Sequence, residues 1–160
     1  MMINTTMKTS IYTLLFIVSS ISLTDPVQAQ KRKAVGAKEV TGTFQDCFSE
    51  EYCNEIKIQA LGKNKLRVSF EGYYPWANGE GANVGFVTGV ARIDADTAVF
   101  SSTEFEEECR IIIRFKQPGQ IEVEHVTPSF NCGFGANVMV DGTYKKVDSK
   151  KPKFRKPEEG

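Results

Sequence analysis

Two stretches of strict alternation constrain this chain most, because each reads as a hairpin that fixes its own register. Cys109, Ile111, Ile113 and Phe115 fall on one side of an extended chain, and Arg110, Ile112 and Arg114 on the other. After Gln117-Pro118-Gly119, Ile121, Val123 and His125 face one way, and Glu122 and Glu124 the other. Side chains of a strand alternate with period two, so a slip of one residue would turn the whole apolar set outward. Paired residue numbers must therefore sum to an even number. A three-residue loop pairing Lys116 with Gln120 meets that condition. It sets Phe115 opposite Ile121, Ile113 opposite Val123, and Arg114 opposite Glu122 on the wet side, an opposite-charge pair contributing at most about 1 kcal/mol.

The same logic repeats upstream. Ile56, Ile58 and Ala60 alternate with Lys57 and Gln59, Gly62-Lys63-Asn64 turns the chain, and Leu66, Val68 and Phe70 alternate with Arg67 and Ser69. Pairing Leu61 with Lys65 sets Ile58 opposite Val68 and Ile56 opposite Phe70. Further strands are expected over Asn83–Ile93 and Thr97–Ser101, around Asp94-Ala95-Asp96. Gly85 and Gly89 suit a bend or a close approach of another element. No convincing helix is present; Glu104 to Glu108 suffice for one short turn.

The ends of this body echo each other. Val40-Thr41-Gly42-Thr43-Phe44 and Val140-Asp141-Gly142-Thr143-Tyr144 both read valine, any residue, glycine, threonine, aromatic. Roughly eight short strands can remove their sheet edges by pairing first with last. The expected fold is all-β, a small, mostly antiparallel up-and-down barrel of about eight strands, with an open β-sandwich as the alternative.

The first residues indicate an address. Lys8 precedes an apolar run, Ile11 to Leu23, that is shorter than the roughly 20 residues a spanning helix needs. It ends at Asp25-Pro26 and reaches Val27-Gln28-Ala29, small residues where a signal peptidase requires them. We expect a signal peptide over 1–29 and an exported protein, periplasmic or secreted. Then follow a basic tail over 30–38, the barrel over 39–146 and a disordered basic tail over 147–160, since the last segment offers little apolar surface to offset its ordering entropy.

Four cysteines remain: Cys47, Cys53, Cys109 and Cys132. In an exported chain an even count favours disulfides, and three connectivities are possible. Cys47 and Cys53 flank a short turn, and Cys109 opens the strand whose partner ends just before Cys132. Cys47–Cys53 and Cys109–Cys132 are therefore expected, with crossed pairing as the alternative.

Several functions find no support. There is no Cys-x-x-Cys, and His125 is the sole histidine, so no metal set is expected. His125 has no positioned nucleophile beside it and reads as a structural residue of the apolar face, so no catalytic residue is assigned. Cys132-Gly133-Phe134-Gly135 lacks a phosphate loop's glycine pattern, and no cofactor is expected. The run Glu104, Glu106, Glu107 and Glu108 lacks the spaced ligands of a calcium loop.

Charge is segregated although the formal net charge is zero. From Glu39 to Tyr144 there are sixteen acidic and eight basic residues, whereas the flanks are basic. An acidic body is not a nucleic-acid footprint, but it attracts a basic protein. The candidate docking surface is Tyr73-Tyr74-Pro75-Trp76, followed by Asn78-Gly79-Glu80-Gly81. Tyr73, Tyr74 and Trp76 are residue types that anchor interfaces, and they serve equally well as caps on a barrel mouth.

Cys109-Arg-Ile-Ile-Ile-Arg-Phe, Ile121-Glu-Val, Cys132-Gly-Phe-Gly-Ala-Asn-Val and Asp141-Gly-Thr-Tyr-Lys-Lys together resemble a group of small exported bacterial proteins of mostly unknown function. The resemblance covers residues 40 to 146 and implies an eight-strand-like barrel. More distantly, the chain resembles bacterial inhibitors of animal-type lysozyme, which are exported, disulfide-bridged barrels. It lacks the Ser-Gly-x-x-Tyr segment of the family that inhibits c-type lysozyme, so no inhibitory residue is carried over. The expected function is a non-catalytic exported binding module, with inhibition of a basic hydrolase such as lysozyme as its candidate role. The alternative is a small-ligand barrel of the cell envelope lined by Ile58, Val68, Phe70 and Ile113, with no membrane-spanning segment after signal cleavage and an oligomeric state the sequence does not specify.

Overall fold

The computed structural model describes residues 32–102 and 108–155. Eight strands form a closed antiparallel barrel in sequential order, the last pairing with the first. They are β1 (Gly42–Cys47), β2 (Cys53–Gly62), β3 (Lys65–Pro75), β4 (Ala82–Asp94), β5 (Thr97–Ser102), β6 (Cys109–Gln117), β7 (Gln120–His125) and β8 (Gly142–Asp148). Closure leaves no free sheet edge and rules out the open sandwich.

Both hairpins keep the expected pairs: Ile58 faces Val68 and Ile56 faces Phe70, while Phe115 faces Ile121 and Ile113 faces Val123. Their tips differ from expectation in the same way. Gly62 pairs with Lys65 and Gln117 with Gln120, with register shifts that leave Leu61 and Lys116 as extra residues. A two-residue turn forces an odd sum of residue numbers, whereas the apolar faces demand an even one, and a bulge reconciles the two. Lys63 and Asn64 both take positive φ, as the mirror-image turn at that tip requires.

The inward faces of the strands form one buried apolar cluster. Ile58, Val68, Phe70 and Ile113 are completely buried, and the Phe70 and Phe100 rings meet edge-to-face at 5.4 Å. A Cβ on Gly89 would stand 2.8 Å from the Phe100 ring, so this glycine serves close approach.

One end of the barrel is sealed by the segment joining β7 to β8, which turns through a 3₁₀ helix, Ser129–Cys132. It buries Phe134, Val138 and Val140. Two paired glycines receive it: a Cβ on Gly72 would meet Val138 and Val140 within 2.9 Å, and one on Gly85 would meet Phe134 at 2.5 Å. The Cys109–Cys132 disulfide ties this plug to β6, and Cys47–Cys53 joins facing residues of β1 and β2, so the uncrossed connectivity holds.

The other end is capped by a short helix, α1 (Ala37–Val40), that the sequence did not suggest. Val40 is buried and Val35 packs on the core, while Arg32 pairs with Asp94. The N-terminal stretch from Arg32 is therefore attached, because it has two valines to bury. The C-terminal stretch is attached as well: Pro152 is buried and Arg155 reaches Glu71. The turn expected at Glu104 to Glu108 lies, except for Glu108 itself, outside the described residues.

Candidate functional site

Strand alternation separates the three aromatics of the candidate docking surface, Tyr73, Tyr74 and Trp76. Tyr73 lies on the outer wall, where its ring is 6.1 Å from Tyr52, itself stacked on Phe48 at 6.3 Å. The Tyr73 hydroxyl donates to Glu71 Oε1 at 2.6 Å, which, with burial, pushes its pKa up to about 12. Tyr74 has the parity of the interior face, but at the strand end it is exposed. Trp76 begins the β3–β4 loop and packs its ring on Gly81, where a Cβ would come within 2.8 Å. Its indole N–H donates to Asn83 Oδ1 at 3.0 Å, and Asn83 Nδ2 donates to the Ala136 carbonyl at 2.8 Å. The aromatic loop is thereby tied to the plug. A second tie runs from Asn54 Nδ2 to the Met139 carbonyl at 3.0 Å.

In an up-and-down barrel every second connection shares an end. The β1–β2, β3–β4, β5–β6 and β7–β8 connections surround the plugged end. That rim presents Phe48, Tyr74, Trp76, Val84, Val126, Phe130 and Met139, seven of the eleven large exposed apolar side chains among the described residues. Phe130 is 69% exposed and Met139 56%, although both lie on a plug whose other face is buried. The described rim loops carry Glu50, Glu51, Glu80, Glu108 and Asp141, and neither lysine nor arginine. Arg110, just inside β6, pairs with Glu108. The α1 end instead carries Lys33, Lys38, Lys63, Lys65, Lys116 and Lys146 beside Glu39, Asp94, Asp96 and Asp148. The described surface is thus apolar and acidic at one end, and of mixed sign with an excess of lysine at the other.

His125 sits beneath this rim. Its side chain is 7% exposed, Nδ1 lies 2.6 Å from Asp141 Oδ2, and Asp141 Oδ1 accepts its backbone N–H. The ring meets Phe134 edge-on at 5.5 Å. Nε2 is buried without a partner among the described residues, and the contacts to Asp141 and Phe134 hold the ring as a brace for the plug. Among the described residues no group of three metal-ligating side chains assembles.

A cavity of about 90 Å³ lies at the α1 end, lined by Val35, Phe44, Phe115 and Pro118 together with charges of both signs, Lys33, Lys116, Glu39 and Asp96. No helix among the described residues is long and apolar enough to cross a membrane. Compared with protein-family models, curated proteins and solved structures, the chain matches none.

Proposed function

We propose that this chain is an exported, non-catalytic binding module, and that its plugged rim docks a basic protein. The observation that carries this reading is the coincidence of exposed aromatic and apolar side chains with carboxylates on loops without basic residues. Apolar anchors supply affinity once desolvated, and complementary charge steers the encounter. A basic hydrolase of the lysozyme type has the matching charge, and a rigid plug braced by Cys109–Cys132 presents Phe130 and Met139 to it at low ordering cost. Two disulfides accord with an oxidising compartment, periplasmic or extracellular.

Calorimetry of the oxidised protein against c-type, g-type and i-type lysozymes, at low and physiological salt, tests this. Binding to one of them that weakens with salt is the expected result. Salt-independent binding removes the electrostatic half of the proposal, and no binding to any removes lysozymes as the target.

A further inference from the structure

Three segments meet at the α1 end. One crevice there is lined by Lys38 of α1, Ala60 of β2 and Ser149, just past β8. Val147 lines a second crevice with the same Lys38 and Ser149. Around this junction stand Lys38, Lys63 and Lys65 of the β2–β3 turn, and Lys150 and Lys151 after β8, all exposed. None of these five forms an ion pair with a described residue, whereas Lys57, Arg114 and Lys116 of the barrel wall each do.

The carboxylates of this end do not cancel the lysines. Asp94 and Asp96, at the β4–β5 turn, pair with Arg32. Glu39 and Asp148 remain, and each is turned to a backbone N–H, of Gly36 at 2.7 Å and of Lys150 at 2.9 Å. Two large apolar side chains lie among the lysines: Leu61 is 48% exposed and Val147 57%. A soluble polyanion would need the charges alone. Exposed apolar groups ringed by unpaired lysines fit a surface whose anionic groups overlie an apolar layer, because apolar burial and charge attraction then act together.

We infer that α1, the β2–β3 turn and the segment after β8 form a face that binds the headgroup surface of an anionic phospholipid bilayer. Leu61 and Val147 enter the interface, and the lysine ammonium groups stay at headgroup level on their aliphatic stems. The carboxylates of the opposite rim are repelled by the same surface, so the charge distribution orients the barrel with its plug outward. The inference uses no rim residue and its test uses no lysozyme, so it stands or falls apart from rim docking.

The oxidised protein is used without residues 1–29, whose apolar run would itself enter lipid; the closed barrel and both disulfides lie in the remainder. It is co-sedimented with vesicles of phosphatidylcholine alone and of phosphatidylcholine mixed with phosphatidylglycerol. Partition onto the mixed vesicles alone, reversed by salt, is expected. Lys63→Glu with Lys65→Glu is expected to weaken it at least about ten-fold. Should that variant unfold, Lys150→Glu with Lys151→Glu, outside the sheet, carries the same test. Glu50→Gln with Glu51→Gln, on the rim, is expected to cause no loss. Trp76 emission is expected to stay unchanged on vesicles, while Leu61→Trp in a Trp76→Phe background shifts to the blue. Equal partition onto both vesicles, no partition, or full partition of the lysine variants overturns the inference, and a blue shift of Trp76 overturns the orientation. Soluble polyphosphate that displaces the protein at far lower ionic strength than sodium chloride would assign the lysines to a polyanion and overturn the lipid assignment.

Discussion

Gly42 and Gly142 hold the same backbone conformation, φ +151°, at the starts of the first and last strands. Each is followed two residues later by a buried aromatic, Phe44 or Tyr144, and preceded two residues earlier by a buried valine. The strands so begun close the barrel through Thr43–Asp148, Phe44–Lys146 and Gln45–Lys145, with a shift between the first two pairs. A Cβ on Gly42 would stand 2.3 Å from the Asp148 carbonyl oxygen, and one on Gly142 would stand 2.6 Å from Asp46 Oδ2. Backbone cannot yield as a carboxylate can. Gly42→Ala is therefore expected to destabilise the fold by about 3 kcal/mol, and Gly142→Ala by less, in urea unfolding.

The two disulfides should differ in value. Cys109–Cys132 closes a loop of sequence separation 23, and Cys47–Cys53 one of 6. The chain-entropy relation gives about 3 kcal/mol for the first and about 2 for the second. Removing the first as a double alanine variant should also release the plug, seen as rapid amide exchange at Phe134, Val138 and Val140. Removing the second should leave those amides protected.

Lys146 locks α1 onto the closing seam. Its Nζ donates to the carbonyls of Glu39 at 2.6 Å, Thr41 at 3.0 Å and Lys38 at 3.3 Å, above the Phe44 ring. Burial holds this ammonium below the ordinary lysine range, yet its three acceptors saturate it. Lys146→Met keeps the aliphatic reach and abandons those carbonyls, an expected loss of about 2 kcal/mol in thermal or urea unfolding at neutral pH.

Tyr73 sets an alkaline limit. Its folded pKa, about 12, lies above the ordinary 10.0, chiefly because its hydroxyl donates to Glu71. Between those values the folded state holds a proton that the unfolded state has released, so the contribution is complete below pH 10 and is lost as pH rises to about 12. The stability difference between wild type and Tyr73→Phe should shrink across that window. Arg155 lowers this pKa, so Arg155→Ala should move the tyrosinate absorbance transition still higher.

What was legible in the sequence followed from periodicity. Alternation over 56–70 and 109–125 fixed the facing pairs, and the Val-x-Gly-Thr-aromatic echo marked the seam that closes the barrel. The plug, α1 and the C-terminal segment have no period. They are held by single contacts, such as Phe134 on Gly85 or Arg155 on Glu71, that no local pattern announces. The signal for the rim lies in alternate loops: an up-and-down order places Glu50, Glu51, Glu80 and Glu108 at one end without a basic residue in the described loops. The aromatic segment stands out in the sequence, but Tyr73 and Tyr74, as neighbours in a strand, face opposite ways, and Tyr73 belongs to the wall.

Trp76 is the chain's sole tryptophan and stands on the proposed docking rim, 49% exposed. The protein labelled with 5-fluorotryptophan therefore reports that rim through one fluorine resonance. The most direct measurement titrates the labelled protein with the lysozyme that calorimetry selects. The resonance is expected to shift as complex forms, added salt to reverse the shift, and Tyr74→Ala with Phe130→Ala to weaken binding without unfolding the barrel. Complex formation that leaves the Trp76 resonance where it was would place the partner elsewhere and contradict the rim as the docking face.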